Sequence, residues 1–402
     1  MTHRGDRRGS AAMARRAVRP VVAVVTMLLV ASSARALATE VEATPPFLSP
    51  QRFLVSAAPA GVAGKTASSG GLFLIDMARD GSLQAHSLWR AGSVDRVVAS
   101  PDGRFLYVAG HPDGGNTGRI TALRFENGHA AVLNRLSLDG PAAFGPEISP
   151  AGRALLVSNV AGKGGQFGLA VFALGENGQI VRQRQFVPYP SADVAGAEAR
   201  TGTASFTPDG KAVFLATPGS DTLHAFRFDD RIDTSLKPWT EADLSFPKGS
   251  SPGHLVFAPD GRHAYALSVD TPTLFVLRSD GDRLALQQTL SLAEPGRDDG
   301  PVDAAPAITP DGRFLYLLAT GNRIAVLRLD GDGRASLIGR FPAGARAPVA
   351  VAADMIGARL LVADSASGSV VELPVDRNTG AIEPARLPPF PIPAPIAISA
   401  LR

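Results

Sequence analysis

Apolar and polar positions along this chain come in short runs, and the same run returns at near-regular steps. An apolar triplet such as Val97-Val98-Ala99 is followed by a turn, Ser100-Pro101-Asp102-Gly103, and then by a second apolar run from Phe105 to Val108. The stretch from Ser100 to Gly110 recurs from Ser149, Thr207, Ala258 and Thr309, with weaker copies from Ser49 and Asp354. With Pro50, Pro101, Pro150, Pro208, Pro259, Pro310 and Met355 as markers, the steps are 51, 49, 58, 51, 51 and 45 residues. A period of roughly 40–50 residues, with strand and turn chemistry in every unit, marks a radial β-repeat.

Each unit predicts four strands. Proline sets the second position of the first turn, aspartate tolerates the third, and glycine takes the positive φ that ends it. A third strand follows a loop of variable length, as at Leu274–Leu277 or Ile324–Leu327. A second glycine turn closes it, at Asn127-Gly128, Asn177-Gly178, Asp280-Gly281 or Asp330-Gly331. The fourth strand is the most polar, as an outer strand half in water should be. The C-terminal Pro395–Ser399 repeats the inner-strand pattern of Pro306–Thr309 and Pro348–Val351, whereas the first unit at Ser49 lacks that strand. The predicted fold is all-β: a seven-bladed β-propeller of four-stranded antiparallel blades, its ring closed by the C-terminal strand completing the N-terminal blade. An open array would leave unpaired edges. Strand direction puts both kinds of glycine turn, read as tight, on one face. The long loops 58–70, 110–118, 186–202 and 293–303 fall on the other, where binding is expected.

The N-terminus changes the reading of charge. Residues 1–38 hold seven arginines and one aspartate, an apolar run from Val21 to Ala31, and Ala36-Leu37-Ala38. This is the layout of a secretory signal cleaved after Ala38; the apolar run is shorter than the roughly 20 residues of a membrane anchor. One propeller domain then spans 39–402, in a periplasmic or secreted protein with no stable membrane insertion after cleavage. The whole chain has 40 Lys+Arg and 37 Asp+Glu, so without residues 1–38 it carries 33 basic and 36 acidic groups. That balance excludes a nucleic-acid-binding face. The absence of cysteine excludes thiol chemistry and leaves the core to packing. A monomer is expected.

Candidate chemistry is sparse. Counted five residues before each marker, the inner strands present Arg96, Gly145, Thr203, His254, Ala305 and Ala350. Arg96 and His254 are the ionisable members, and His254 is the candidate general base. Gly249-Ser250-Ser251-Pro252-Gly253 matches the pattern of a nucleophile elbow but lacks its strand–turn–helix context. Asp330-Gly331-Asp332-Gly333 lacks the later acidic ligand of a calcium loop. No histidine pairing or phosphate-cradling loop appears, so no cofactor is expected.

The repeated Pro-Asp-Gly-Arg-Phe-Leu-Tyr-Val-Ala run and the Asp-Gly turns resemble the lactonase family of seven-bladed propellers, which includes 6-phosphogluconolactonase. The motif is shared with YVTN-type surface proteins. The family's Gly-Pro-Arg-His is Ser251-Pro252-Gly253-His254 here, and its Asn-Glu is Ser268-Val269, with Asp270 following. Its Ala-Glu-Ile is Ala304-Ala305-Pro306, and its Asn-Arg is Ala319-Thr320. The resemblance implies His254 as catalytic residue; together with Arg96 from the counted ring and the neighbouring Asp270 it makes up the expected ligand-binding set. With the other polar positions replaced, the sequence favours an envelope propeller with an eroded lactonase site, binding a small-molecule, glycan or protein ligand at the long-loop face. The alternative is a lactone hydrolase acting on a different substrate.

Overall fold

The computed structural model describes residues 51–401 except 59–69, 91, 112–116, 142–143, 162–166, 190–202, 218, 295 and 297–303. The proposed signal, residues 1–38, and most of the long-loop residues lie outside the described residues.

The turn that opens each blade is built by its own side chains. Ser100 donates its hydroxyl to Asp102 Oδ1 at 2.6 Å and accepts the Phe105 amide at 2.9 Å, while the Arg104 amide bonds the same carboxylate oxygen. Thr207 with Asp209 and Thr309 with Asp311 repeat this. The aspartate therefore does more than tolerate its position: it binds the turn together. The glycine that follows has φ between +65° and +71° in six blades, a conformation costly for any residue with a Cβ.

Seven sheets result, each antiparallel. Blades 2 to 7 take their strands in chain order, starting at Ser93, Phe144, Thr203, Pro252, Ala307 and Pro348. Blade 1 is completed from the other end of the chain: Pro395–Leu401 pairs with Gln51–Ala57, with Arg52 opposite Leu401 and Val55 opposite Ile398. The predicted ring closure is thus present. The core lies between blades. Tyr107, Leu155, Val157 and Phe172 pack blade 2 on blade 3, and Phe53, Val55, Leu361 and Val370 pack blade 1 on blade 7.

The outer strands are more than a polar rim. Asn134 donates to the Ile180 carbonyl at 2.7 Å and accepts the Ile180 amide at 3.1 Å. Gln185 clips Leu236 and Gln288 clips Ala335 in the same two-bond way. Each amide satisfies the backbone of the next blade's outer strand.

Two turns differ from the sequence reading. In blade 6 the positive φ falls on Gly333, not Gly331, because Asp330 Oδ1 accepts the amides of Asp332 and Arg334 and so spreads the turn over two further residues. In blade 4 the link between third and fourth strands is not tight. It runs through residues 229–235, which lack a glycine, and is shaped by the Arg231 fork on Asp229 and by Ser235 donating to the Ile232 carbonyl. Among the described residues no helix is long and apolar enough to cross a membrane.

Candidate active site

On the inner strands Arg96, Thr203, His254 and Ala350 share one register, opposite Ala109, Ala216, Leu267 and Ala363, whereas Gly145 falls in a bulge between Phe144 and Pro146. Side chains here reach toward the next blade. The Thr203 hydroxyl bonds the Gly253 carbonyl, and Ser205 donates to the Leu255 carbonyl at 3.1 Å. Two residues beyond Gly145 in blade 3, Glu147 follows the same rule and takes the backbone amide of Phe206 in blade 4. Burial pushes its carboxyl up to about 7; the Phe206 amide and the Arg96 charge oppose the rise without cancelling it. A carboxyl with that affinity can take or give a proton near neutral pH.

Glu147 was not among the residues the sequence reading selected, which sampled one position per blade. The signal lay two residues further on. The equivalents of Glu147 are Val98, Ser205, Val256, Ala307 and Ala352, so an acid there is an outlier.

His254 is 8% exposed and lies on the inner strand Pro252–Phe257. The segment before it is firmly held. Asp221 accepts the amides of Gly249 at 2.8 Å and Ser251 at 3.1 Å, Gly219 donates to the Ser251 hydroxyl at 2.7 Å, and Val269 donates to the Ser251 carbonyl at 3.0 Å. Ser251 is 2% exposed with φ +40° and leads into a strand, so the apparent nucleophile elbow is a blade link. Asp270 is exposed at the same end of blade 5, its amide bonded to the Ser268 hydroxyl at 3.2 Å.

Beside His254, a Cβ built on Gly253 would stand 2.1 Å from Val269 Cγ1. The two positions that the lactonase pattern fills with arginine and an acid are therefore direct neighbours. Here they form an apolar contact in which the missing side chain of one makes room for the other.

The comparisons with known proteins agree with this architecture. The family described as Lactonase, 7-bladed beta-propeller, matches residues 60–399. A 6-phosphogluconolactonase of Formosa agariphila is 26% identical over 296 residues, covering 71% of this chain and 82% of that protein. One from Enterobacter sp. strain 638 is 25% identical over 298 residues, covering 73% and 84%. The solved periplasmic gluconolactonase of Pseudomonas aeruginosa superimposes with a TM-score of 0.78 at 24% identity, over 88% of this chain and 99% of that one. With a family match across nearly the whole propeller, this chain belongs to the seven-bladed lactonase family.

Proposed function

We propose that the chain hydrolyses a sugar lactone, in preference to the purely binding role that the sequence reading favoured. The observation that carries this reading is Glu147, an inner-strand carboxyl poised near neutral pH and within reach of the Arg96 charge on the neighbouring blade. Family membership supports the same chemistry.

In the proposed reaction a water attacks the lactone carbonyl and Glu147 takes its proton. Arg96 faces the oxyanion that forms on the carbonyl oxygen, where a fixed positive charge in a partly dry site lowers the barrier most. The intermediate then collapses: the ring C–O bond breaks, and the leaving oxygen receives a proton from Glu147 or His254. The product is an open-chain hydroxy acid. Asp270, at the rim, is assigned to substrate hydroxyls.

The Gly253–Val269 contact supports a substrate without phosphate, since recognition of a phosphate calls for arginine or lysine donors of the kind missing there. The gluconolactonase named above is periplasmic, and the signal-like residues 1–38 suit the same compartment. Cleavage after Ala38 leaves Thr39 as the first residue, which mass spectrometry of the exported protein reads directly.

The test is hydrolysis of glucono-δ-lactone and of 6-phosphogluconolactone, followed by acid release above the buffer rate. Wild type should accelerate the first more than the second, and Glu147→Gln should lose at least about 100-fold. A wild-type rate equal to buffer on both lactones would sink the hydrolase and restore the binding reading.

A further inference from the structure

Most blades close their third and fourth strands with a compact glycine turn; blade 4 does not, and a recess results on the tight-turn side of blades 3 and 4. Its origin is visible in blade 3. Ala151 stands where Asp102, Asp209, Asp260 and Asp311 stand in other blades. Arg104 folds back on its own turn aspartate, Nε to Asp102 Oδ2 at 2.6 Å. Arg153 has no such partner in its turn and reaches blade 4 instead, Nε to Asp230 Oδ2 at 2.9 Å. Arg184 bonds the Asp230 carbonyl and Arg182 the Asp233 carboxylate. Three arginines of blade 3 thus hold loop 229–235 in place. Between that loop and the turns at Ser149 and Asp209 lies a recess of ≈560 Å³. Ligand cavities usually fall between roughly 300 and 1,000 Å³.

The walls carry five basic side chains against three aspartates. The aspartates already have cationic partners. Asp230 takes Arg153, Asp229 takes both nitrogens of Arg231 at 2.9 Å, and Asp209 takes Lys211 at 3.2 Å. Arg227 is stacked on Trp239 and paired with Asp282 at 3.7 Å, so the surplus positive charge sits on the exposed Lys237. Pro150, Phe228 and Ile232 add apolar surface. Cations suit a carboxylate, paired aspartates still have lone pairs for hydroxyl donors, and the apolar patch suits the C–H side of a carbon chain.

We propose that this recess is a second ligand site, for a polyhydroxylated carboxylate of sugar-acid type, whose lining includes neither Arg96 nor Glu147. Lys237 meets the carboxylate, and loop 229–235 forms one wall. A sugar acid is also the product class of the hydrolysis proposed above, but the recess is argued from its own lining and does not rest on that reaction.

Calorimetry on the purified protein, with D-gluconate as probe and D-glucose as neutral control, decides it. Gluconate should bind and glucose should not. Lys237→Glu should weaken gluconate at least about tenfold while lactone hydrolysis stays at the wild-type rate. Glu147→Gln should leave gluconate binding unchanged. The proposal is overturned if gluconate gives no binding heat up to roughly 50 mM, if Lys237→Glu binds as wild type does, or if Glu147→Gln abolishes binding and so places gluconate at Glu147. Absent hydrolysis with Lys237-dependent gluconate binding intact would remove the proposed reaction and leave the second site standing.

Discussion

The Tyr265 hydroxyl donates to the carbonyl oxygen of Gly333 at 2.9 Å, joining the second strand of blade 5 to the outer turn of blade 6. The same turn rests on the His263 ring: a Cβ on Gly333 would stand 2.2 Å from it. Tyr316 repeats the bond to Gly380 at 3.2 Å, with Phe314 beneath that glycine. Phe105 lies beneath Gly178 in the same way. At the joint between blades 7 and 1 the aromatic is replaced. There Arg359, paired with the buried Glu372, lies under Gly81 and donates to the Arg79 carbonyl at 2.7 Å.

Tyr265→Phe should therefore destabilise the ring by about 1–3 kcal/mol, because it leaves the Gly333 carbonyl without its partner inside the protein. Burial pushes the Tyr265 hydroxyl far above its usual range, so it stays a donor at any working pH. Gly333→Ala should cost more, since it adds a clash with His263 to a backbone at φ +76°. Thermal unfolding of both variants checks the order; a Tyr265→Phe transition at the wild-type temperature would show that the bond contributes nothing.

Removal of residues 391–402 should lower the melting temperature sharply. Pro395–Leu401 is the inner strand of blade 1, and Ile392, 1% exposed, packs with Phe53 and Val55. Without them blade 1 has an open edge and blade 7 loses part of the apolar face it packs on. An unchanged melting curve would contradict closure by this strand.

Blade 7 begins its turn with Asp354, where blades 2, 3, 4 and 6 use Ser100, Ser149, Thr207 and Thr309. Asp354 is fully buried; Oδ1 accepts the Ala358 amide at 2.8 Å, and Oδ2 has no hydrogen-bond partner. Burial raises its pKa, with backbone amides opposing. The folded protein then holds this proton more tightly than the unfolded chain does. The corresponding stability is full below the unfolded value of 3.8 and is lost as pH rises through the raised folded value. Asp354→Thr should be near neutral at about pH 3.5 and stabilising at pH 7, where the buried carboxyl it replaces would have to ionise. Urea titrations at the two pH values measure it; equal effects at both would rule out the carboxyl as the cause.

The blades were legible because their punctuation is local. Proline, aspartate and glycine fix the turn within four residues, and Pro395–Ser399 announces the missing inner strand by its own pattern. What could not be read depended on pairs far apart in the chain. Arg153 meets Asp230 across 77 positions, and Tyr265 meets Gly333 across 68. No local rule assigns such partners. Gln288 stands on a polar outer strand, and only the neighbouring blade shows that it clips Ala335. His254 and Arg96 were found because they are ionisable at one counted position; Glu147 was missed because it sits one pleat period deeper.

The last expectation concerns pH. If Glu147 is the base, hydrolysis above the buffer rate must rise as that carboxyl ionises, with a midpoint near its value of about 7. Arg96 lowers the Glu147 value, so removing the charge must move the limb the other way. Arg96→Met should therefore shift the midpoint to higher pH and also slow the plateau, because the oxyanion loses its positive neighbour. Those are separable effects: the shift is read from kcat/KM against pH, and the slower plateau from kcat at high pH. Glu147→Gln should lose the limb altogether, leaving a low rate that follows the buffer reaction. A simple loss of folding moves neither midpoint, which keeps the test specific to the pair. If the Arg96→Met midpoint stays where it was or falls, Arg96 does not act on the reacting carboxyl, and the assignment of Glu147 as its partner is wrong.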